Sequence, residues 1–458
     1  MSRIVVIGGV AAGMSAASQA KRRQPHAEVI ALERGIHVSY GACGMPYNIA
    51  DPGRNVEDLV VITAERFRRE RNLDLRLRHE AASLDAGNKS LHVRDLEARR
   101  EYELGFDKLV IATGAEAVTP PLPGLDLPGV FVLRDLTHAV AIRDHLQKRS
   151  PRRAIIIGAG YIGLEMAESF VRRGLDVTVL EMMEQIVPGW HTEIAQRIGE
   201  ELERNGVHVR TGIAVEEVAQ AASGAALEVT AGGERFPADI VLVAVGVRPT
   251  VHLARKAGLA LGKSGAIAVD DHQRTSAADI FAAGDCAEAY HRILGRPVWI
   301  PLGDTANKEG KVAGANATGD DETFPGIVGS AGFKVFDLEV ARTGLGTVEI
   351  EELGGNAIEA LSRHPSFAHG YPGAKPLTTV VFAEAPSGRV LGVQMVGAGT
   401  VATRVDVWAT ALHAGMTVGN VEGLDLVYAP PLSPVYDPIL IAATVARKQV
   451  AKAARPGG

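Results

Sequence analysis

The stretch Val38-Ser39-Tyr40-Gly41-Ala42-Cys43-Gly44-Met45-Pro46-Tyr47 carries one of only two cysteines in the chain. A short helical pattern follows from Gly44 to Ala50, and its N-terminus is expected to lower the thiol pKa and favour a thiolate nucleophile. The other reading of a solitary cysteine is inert packing. Gly41, Gly44 and Pro46, together with a position soon after a glycine-rich turn, favour redox chemistry. Cys286 directly follows Asp285 at a strand end and reads as packing. Two widely separated cysteines provide neither a disulfide framework nor zinc-ligand spacing, so no metal site is expected.

Two glycine loops supply the second chemistry. Gly8-Gly9-Val10-Ala11-Ala12-Gly13 follows the apolar strand Ile4-Val5-Val6-Ile7 and opens a helix to about Arg23. A second strand, Val29-Ile30-Ala31-Leu32, ends at Glu33, beside Arg34. The pattern recurs as Ala154-Ile155-Ile156-Ile157, Gly158-Ala159-Gly160-Tyr161-Ile162-Gly163, a helix to about Arg173, and Val177-Thr178-Val179-Leu180-Glu181. In each unit a helix N-terminus faces a pyrophosphate, and the acid after the second strand reaches a ribose hydroxyl. One such loop is weak; two, each between strand and helix and each followed by an acid, point to two bound dinucleotides. The first loop is the less regular, with Val10 where the middle glycine belongs.

The late run Ala283-Gly284-Asp285 ends a short strand in an acid, which suits the ribityl chain of a flavin and hence FAD, with its adenine end at Glu33. The helix starting near Asp304 then directs its positive end at the flavin, favouring the anionic reduced form. Gly8, Gly9, Ala12, Gly13, Glu33 and Arg34, with Thr113, Gly114, Gly284 and Asp285, are the candidate FAD contacts. Gly158, Gly160, Tyr161, Gly163, Glu181 and Gly246 are those for the second dinucleotide. Glu181 occupies the place of a 2′-phosphate and the following Met182 and Met183 offer no cation, so NADH is favoured over NADPH. Tyr161 has two readings: a lid over the flavin that moves as nicotinamide enters, or simple packing.

The elements that must position these residues form an α/β chain. At 458 residues there is length for about three domains. Pro120-Pro121-Leu122-Pro123-Gly124 reads as a hinge into the second unit and Gly246-Val247-Arg248-Pro249 as the exit, so the second unit is inserted in the first. Residues 1–118 and 246–326 are assigned to an FAD-binding domain and 119–245 to an NAD(P)H-binding domain, both Rossmann-like. From about residue 327 the periodicity changes. Strand patterns at 378–384 and 389–396 flank a hairpin signal, and helices are expected at 401–413 and 437–452, making 327–458 an α+β domain. A net charge of −6 argues against a polyanion-binding surface, and nucleic acid is not an expected partner. The run Ile4–Ala20 behind Arg3 superficially resembles a secretory signal but reads more fully as strand, turn and helix. No other stretch approaches the ~20 apolar residues of a membrane span, so no membrane partner is expected. Cysteine usage fits a reducing compartment and a cytoplasmic protein.

Together these residues resemble the pyridine nucleotide-disulfide oxidoreductases, in the order FAD, inserted NAD, FAD, interface domain. Within that superfamily, Ser39-Tyr40-Gly41-Ala42-Cys43-Gly44-Met45-Pro46-Tyr47 looks like the coenzyme A disulfide reductases and their NADH oxidase and polysulfide reductase relatives. Glutathione-reductase-like enzymes carry a cysteine pair and a C-terminal His-x-x-x-x-Glu base, whereas this chain reads Tyr428-Ala429-Pro430-Pro431-Leu432-Ser433-Pro434-Val435-Tyr436. NADH peroxidases and water-forming NADH oxidases place a histidine where this chain has Val10. Ferredoxin reductases and apoptosis-inducing-factor-like flavoproteins lack a cysteine at the position of Cys43.

The resemblance implies a homodimer with interface tyrosines contributed across it, matching Tyr371 and Tyr428, whose phenols donate a proton to a leaving thiolate. It also implies substrate contacts at Ser15, Gln19, Arg22, Ser39 and Arg71. Spacing independently puts Ser15, Gln19 and Arg22 on one helix face, and Arg22 and Arg71 suit the phosphates of coenzyme A. The basic run from Arg66 to Arg78 is interleaved with acids and otherwise reads as solvated surface. Ala42 and Asn307 depart from an asparagine and a histidine of the staphylococcal type. The expected activity is FAD-dependent reduction of coenzyme A disulfide by NADH through Cys43. Polysulfide, sulfur or oxygen as acceptor is the alternative, and a slow redox-sensing flavoprotein the third reading. No rhodanese-like domain is expected after the third domain.

Overall fold

A computed structural model describes residues 2–222, 226–354 and 356–454. Its first sheet is parallel, in the order Ile280–Ala282, Lys108–Ile111, Arg3–Ile7, Glu28–Glu33, Asp74–Leu77. Ile4, Val5 and Val6 are fully buried, as continuous apolar strands must be when both sheet faces are covered. The second sheet repeats the plan with Val207–Arg210, Asp176–Leu180, Arg153–Ile157, Ile240–Val243 and Val130–Val132.

The repeat extends to individual hydrogen bonds. Gly8 N–H donates to Leu32 O and Gly158 N–H to Leu180 O, each at 2.8 Å. Both glycines have positive φ, +113° and +105°, and a Cβ there would lie 2.1 Å from Ala112 O and 2.6 Å from Ala244 O respectively. Only glycine fits these first turns. The chain leaves the first sheet and returns along a two-stranded ribbon, Ala115–Ala117 antiparallel to Val247–Pro249.

The third unit is an antiparallel sheet in the order Ala331–Val335, Leu338–Gly344, Val390–Gly397, Pro376–Glu384, Ala357–Pro365. Helices Val401–His413 and Pro438–Ala453 pack on it, with Trp408 and Ala443 fully buried. The second unit grips the turn of its first hairpin: Phe336 N–H donates to Glu168 Oε2 at 2.7 Å and Asp337 N–H to Glu201 Oε1 at 3.3 Å. Among the described residues no helix is long and apolar enough to cross a membrane.

Candidate active site

Cys43 lies in a 3-10 turn, Ala42–Gly44, that leads into the helix Met45–Ala50. This helix is held from three directions. Arg143 donates to Asn48 O at 2.5 Å and to Asp51 O at 3.2 Å, satisfying carbonyls at its C-terminal end. Asn48 Nδ2 bonds Asn55 O at 2.6 Å, and Ser169 Oγ bonds Pro46 O at 2.8 Å. Met45 and Ile49 join Phe170 in one core cluster. Cys43 thus stands at the seam between the first and second nucleotide units.

Cys43 is exposed and Cys286 is buried; neither is in a disulfide. Cys286 Sγ lies 3.4 Å from Ala283 O and 3.5 Å from Ile111 O, in the first unit's core. The thiol of Cys43 is shifted up from its ordinary value, against the expectation of a helix-lowered pKa. Crowding of the thiol by surrounding protein is the main cause, followed by the carboxylates of Glu165 and Asp285; Arg134 opposes them. A helix of six residues starting beyond the thiol is outweighed by this burial together with two acids brought in from distant segments.

Tyr47 Oη donates to Glu165 Oε1 at 2.7 Å, and burial pushes the Glu165 carboxyl up to about 7. Arg134 Nη2 meets Asp285 Oδ2 at 2.7 Å while its Nε donates to Ala115 O at 2.7 Å. The acid expected to meet a ribityl chain is therefore also an ion-pair partner. Tyr47 belongs to the cysteine motif but nothing in the sequence assigned it a partner, and no motif or spacing connects Arg134 or Glu165 to Cys43.

The acids after each second strand bind in parallel ways. Glu33 accepts from Gly9 N–H at 2.7 Å and Gly35 N–H at 2.6 Å. Glu181 accepts from Ala159 N–H at 2.8 Å and Met183 N–H at 2.9 Å. Burial raises the Glu33 carboxyl, with both backbone donors opposing. A Cβ on Gly13 would lie 1.8 Å from Gly8 O, and one on Gly163 2.1 Å from Gly158 O, so each helix starts tight against its loop. Gly160 has nothing within 4 Å of its Cβ position, leaving the second loop open to a pyrophosphate. Thr113 Oγ1 donates to Thr250 O at 2.7 Å, and Gly114 O and Gly246 O accept from Thr250 and Val118 at 2.9 and 3.0 Å. These five residues brace the crossing ribbon. Ala12 is buried in the first helix and Arg34 is exposed beyond Glu33. These donor sets and close approaches fit two dinucleotides.

Tyr161 is stacked on Phe333 with centroids 4.7 Å apart, and its hydroxyl accepts from Trp190 Nε1 at 3.1 Å. In this conformation its ring follows the packing alternative. Met182 and Met183 are exposed beside Glu181.

Of the residues expected to meet substrate, Ser15 Oγ donates to Asn307 Oδ1 at 2.7 Å, and Arg71 Nη1 donates to Ser18 Oγ at 2.6 Å with its guanidinium over Phe67. Arg22 pairs with Gln19, whose buried amide supports the guanidinium. Ser15, Ser18 and Arg22 share one helix face, and Arg71 joins that face through its bond to Ser18. Ser39, with φ +47°, ties the cysteine loop to the first glycine loop through Gly9 O at 2.8 Å. Tyr371 and Tyr428 are exposed on neighbouring loops joined by Ala368 N–H to Pro430 O at 3.3 Å. Among the described residues, neither is hydrogen-bonded to the cysteine loop of its own chain.

Residues 2–310 match the pyridine nucleotide-disulphide oxidoreductase family and residues 330–438 the dimerisation domain of that family. The chain is 38% identical over 446 residues to an NAD(P)H sulfur oxidoreductase (CoA-dependent) of Pyrococcus abyssi, covering 96% of this chain and 97% of that protein. It is 27% identical over 434 residues to a coenzyme A disulfide reductase of Staphylococcus haemolyticus, covering 94% and 96%. The structure of an NAD-dependent persulfide reductase from A. fulgidus superposes with a TM-score of 0.94 at 38% identity, over 98% of this chain and 84% of that one. With both dinucleotide units and the third domain matched, the chain belongs to the pyridine nucleotide-disulphide oxidoreductases and is an NAD(P)H-dependent oxidoreductase carrying FAD.

Proposed function

We propose that this enzyme reduces coenzyme A disulfide through a mixed disulfide between Cys43 and coenzyme A. The observation that carries the reading is an exposed Cys43 whose only fellow cysteine, Cys286, is sealed in a core. The sulfur that pairs with Cys43 then comes from the substrate. Arg22 on the first helix and Arg71, bonded to Ser18 of that helix, suit its phosphates. Names of relatives, coenzyme A-dependent and coenzyme A disulfide reductases, support the same ligand.

FAD held at the Gly8–Gly13 loop and the Gly284–Asp285 turn would supply two-electron transfer from the pyridine nucleotide to the mixed disulfide. That bond breaks, leaving the Cys43 thiolate and one coenzyme A thiol. The Cys43 thiolate attacks an incoming coenzyme A disulfide and expels the second coenzyme A as thiolate, which takes a proton. The sum is one coenzyme A disulfide, one NADH and one proton giving two coenzyme A thiols and NAD+. Arg134 opposes the acids that raise the Cys43 thiol. Tyr371 and Tyr428, contributed across a homodimer, donate protons to the leaving thiolate. Exposed Val427, Leu432, Val435 and Tyr436 near Tyr428, in the domain matched as a dimerisation domain, support that assembly. NADH is the preferred donor because Glu181 opposes a 2′-phosphate.

Assaying Cys43→Ser is the direct test: NADH-driven coenzyme A disulfide reduction should fall to about one-hundredth or less with FAD retained. Undiminished turnover overturns the proposal. A second reading takes polysulfide or persulfide sulfur as acceptor. It is favoured by the higher identity to the sulfur oxidoreductase, 38% against 27% for the disulfide reductase. Intact mass of the oxidised protein separates the two: a reductant-labile coenzyme A adduct on Cys43 supports the first, an added sulfur atom the second.

A further inference from the structure

Glu309 has no role in the reaction above, yet it is 1% exposed beside the first dinucleotide site. It lies in the helix Gly303–Asn316, which crosses the helix Ala11–Arg23 on glycine contacts. A Cβ on Gly310 would lie 2.2 Å from Ala12 O, and one on Gly314 2.2 Å from Ala16 O. So close a seam admits no water from that side.

Glu309 Oε2 accepts from Gly284 N–H at 2.7 Å, the residue with φ +78° that turns the chain into Asp285. Its Oε1 is buried with no hydrogen-bond partner. Glu309 lines a cavity of about 10 Å³ bounded by Gly284, Asp285, Thr305 and Ala306, room for about one water molecule. The charged groups facing it are Asp285 on the turn and Asp304 on its own helix. Arg134 is held by Asp285 and Lys308 by Asp304. Among the described residues nothing cationic reaches the carboxyl, so its neutral acid is the form this pocket accepts. Burial, opposed by the Gly284 N–H bond and reinforced by Asp285 and Asp304, pushes it up to about 8.

We propose that Glu309 is a positioning residue for FAD that works as a neutral acid, its Oε2 holding the Gly284–Asp285 turn and its ionisation loosening the dinucleotide. An anionic pyrophosphate entering near an ionised Glu309 is repelled, so binding must first restore the proton. FAD affinity therefore falls as pH rises past the carboxyl's own range, and FAD binding takes up protons there. The inference rests on FAD at the first glycine loop and is independent of coenzyme A as substrate.

FAD release from diluted holoenzyme, read by free-flavin fluorescence, provides the test. Between about pH 7 and about pH 9.5 the dissociation constant of the unaltered enzyme should rise several-fold, and that of Glu309→Gln should change by less than about two-fold. An equal rise in Glu309→Gln overturns the proposal, as does loss of FAD by that variant at every pH with retention by Glu309→Asp, which would mean that a carboxylate is required. The second measurement needs no variant. FAD added to the full-length chain freed of flavin, in weakly buffered solution near about pH 8.5, should raise the pH by an amount approaching one proton per FAD. No uptake overturns it.

Discussion

Tyr47 donates its hydroxyl to Glu165 Oε1 at 2.7 Å, joining the short helix after Cys43 to the helix after the second glycine loop. The carboxyl it engages is among the groups that raise the Cys43 thiol. Nucleophile and pyridine-nucleotide domain therefore share one electrostatic environment.

Glu165→Gln keeps an acceptor for Tyr47 and removes the negative charge. The Cys43 thiol should titrate at lower pH, and alkylation by iodoacetamide at pH about 7.5 should speed several-fold. An unchanged pH profile of alkylation would show that Glu165 does not govern the thiol.

Gly163→Ala introduces a Cβ 2.1 Å from Gly158 O. The helix must move off its loop, weakening pyridine-nucleotide binding while the first loop stays intact. The KM for NADH should rise about ten-fold or more with full FAD content. Flavin absorbance and steady-state kinetics on one preparation check both parts.

Glu181 accepts from Ala159 N–H of the second loop and from Met183 N–H just beyond its own strand, and in the proposed function it is the residue that opposes a 2′-phosphate. In Glu181→Ala, the ratio of kcat/KM for NADPH to that for NADH should increase by about ten-fold or more. An unaltered ratio would move the selectivity elsewhere.

Arg404 and Asp437 form a buried pair at 2.8 Å that also holds both tyrosine loops. Arg404 donates to Ser366 O at 3.1 Å on the side of Tyr371, and Asp437 accepts from Ser433 Oγ at 2.8 Å on the side of Tyr428. Arg404→Met leaves a buried carboxylate unpaired and should cost about 3 to 5 kcal/mol in denaturant unfolding. Sedimentation velocity should show a weakened dimer in the same variant.

Both glycine turns and their acids were legible because the constraint is local. Only glycine adopts the φ of Gly8 and Gly158 so close to the next strand, and each acid follows its strand at fixed spacing. Helix Val401–His413 was legible for similar reasons. Strands Ala331–Val335, Leu338–Gly344 and Ala357–Pro365 were not: the first two form a hairpin across Phe336-Asp337, which holds no glycine, proline or asparagine, and the third reaches Pro376–Glu384 only after a long loop.

The sequence by itself determined that this protein holds two dinucleotides and has only two cysteines, one of them Cys43 in a loop framed by glycines, because strand, turn, helix and acid follow one another and a cysteine count needs no folding. Only the tertiary structure decided the state of that sulfur. Glu165, Asp285 and Arg134 act on Cys43 through space from separate segments, and Coulomb interactions depend on that distance, not on separation along the chain.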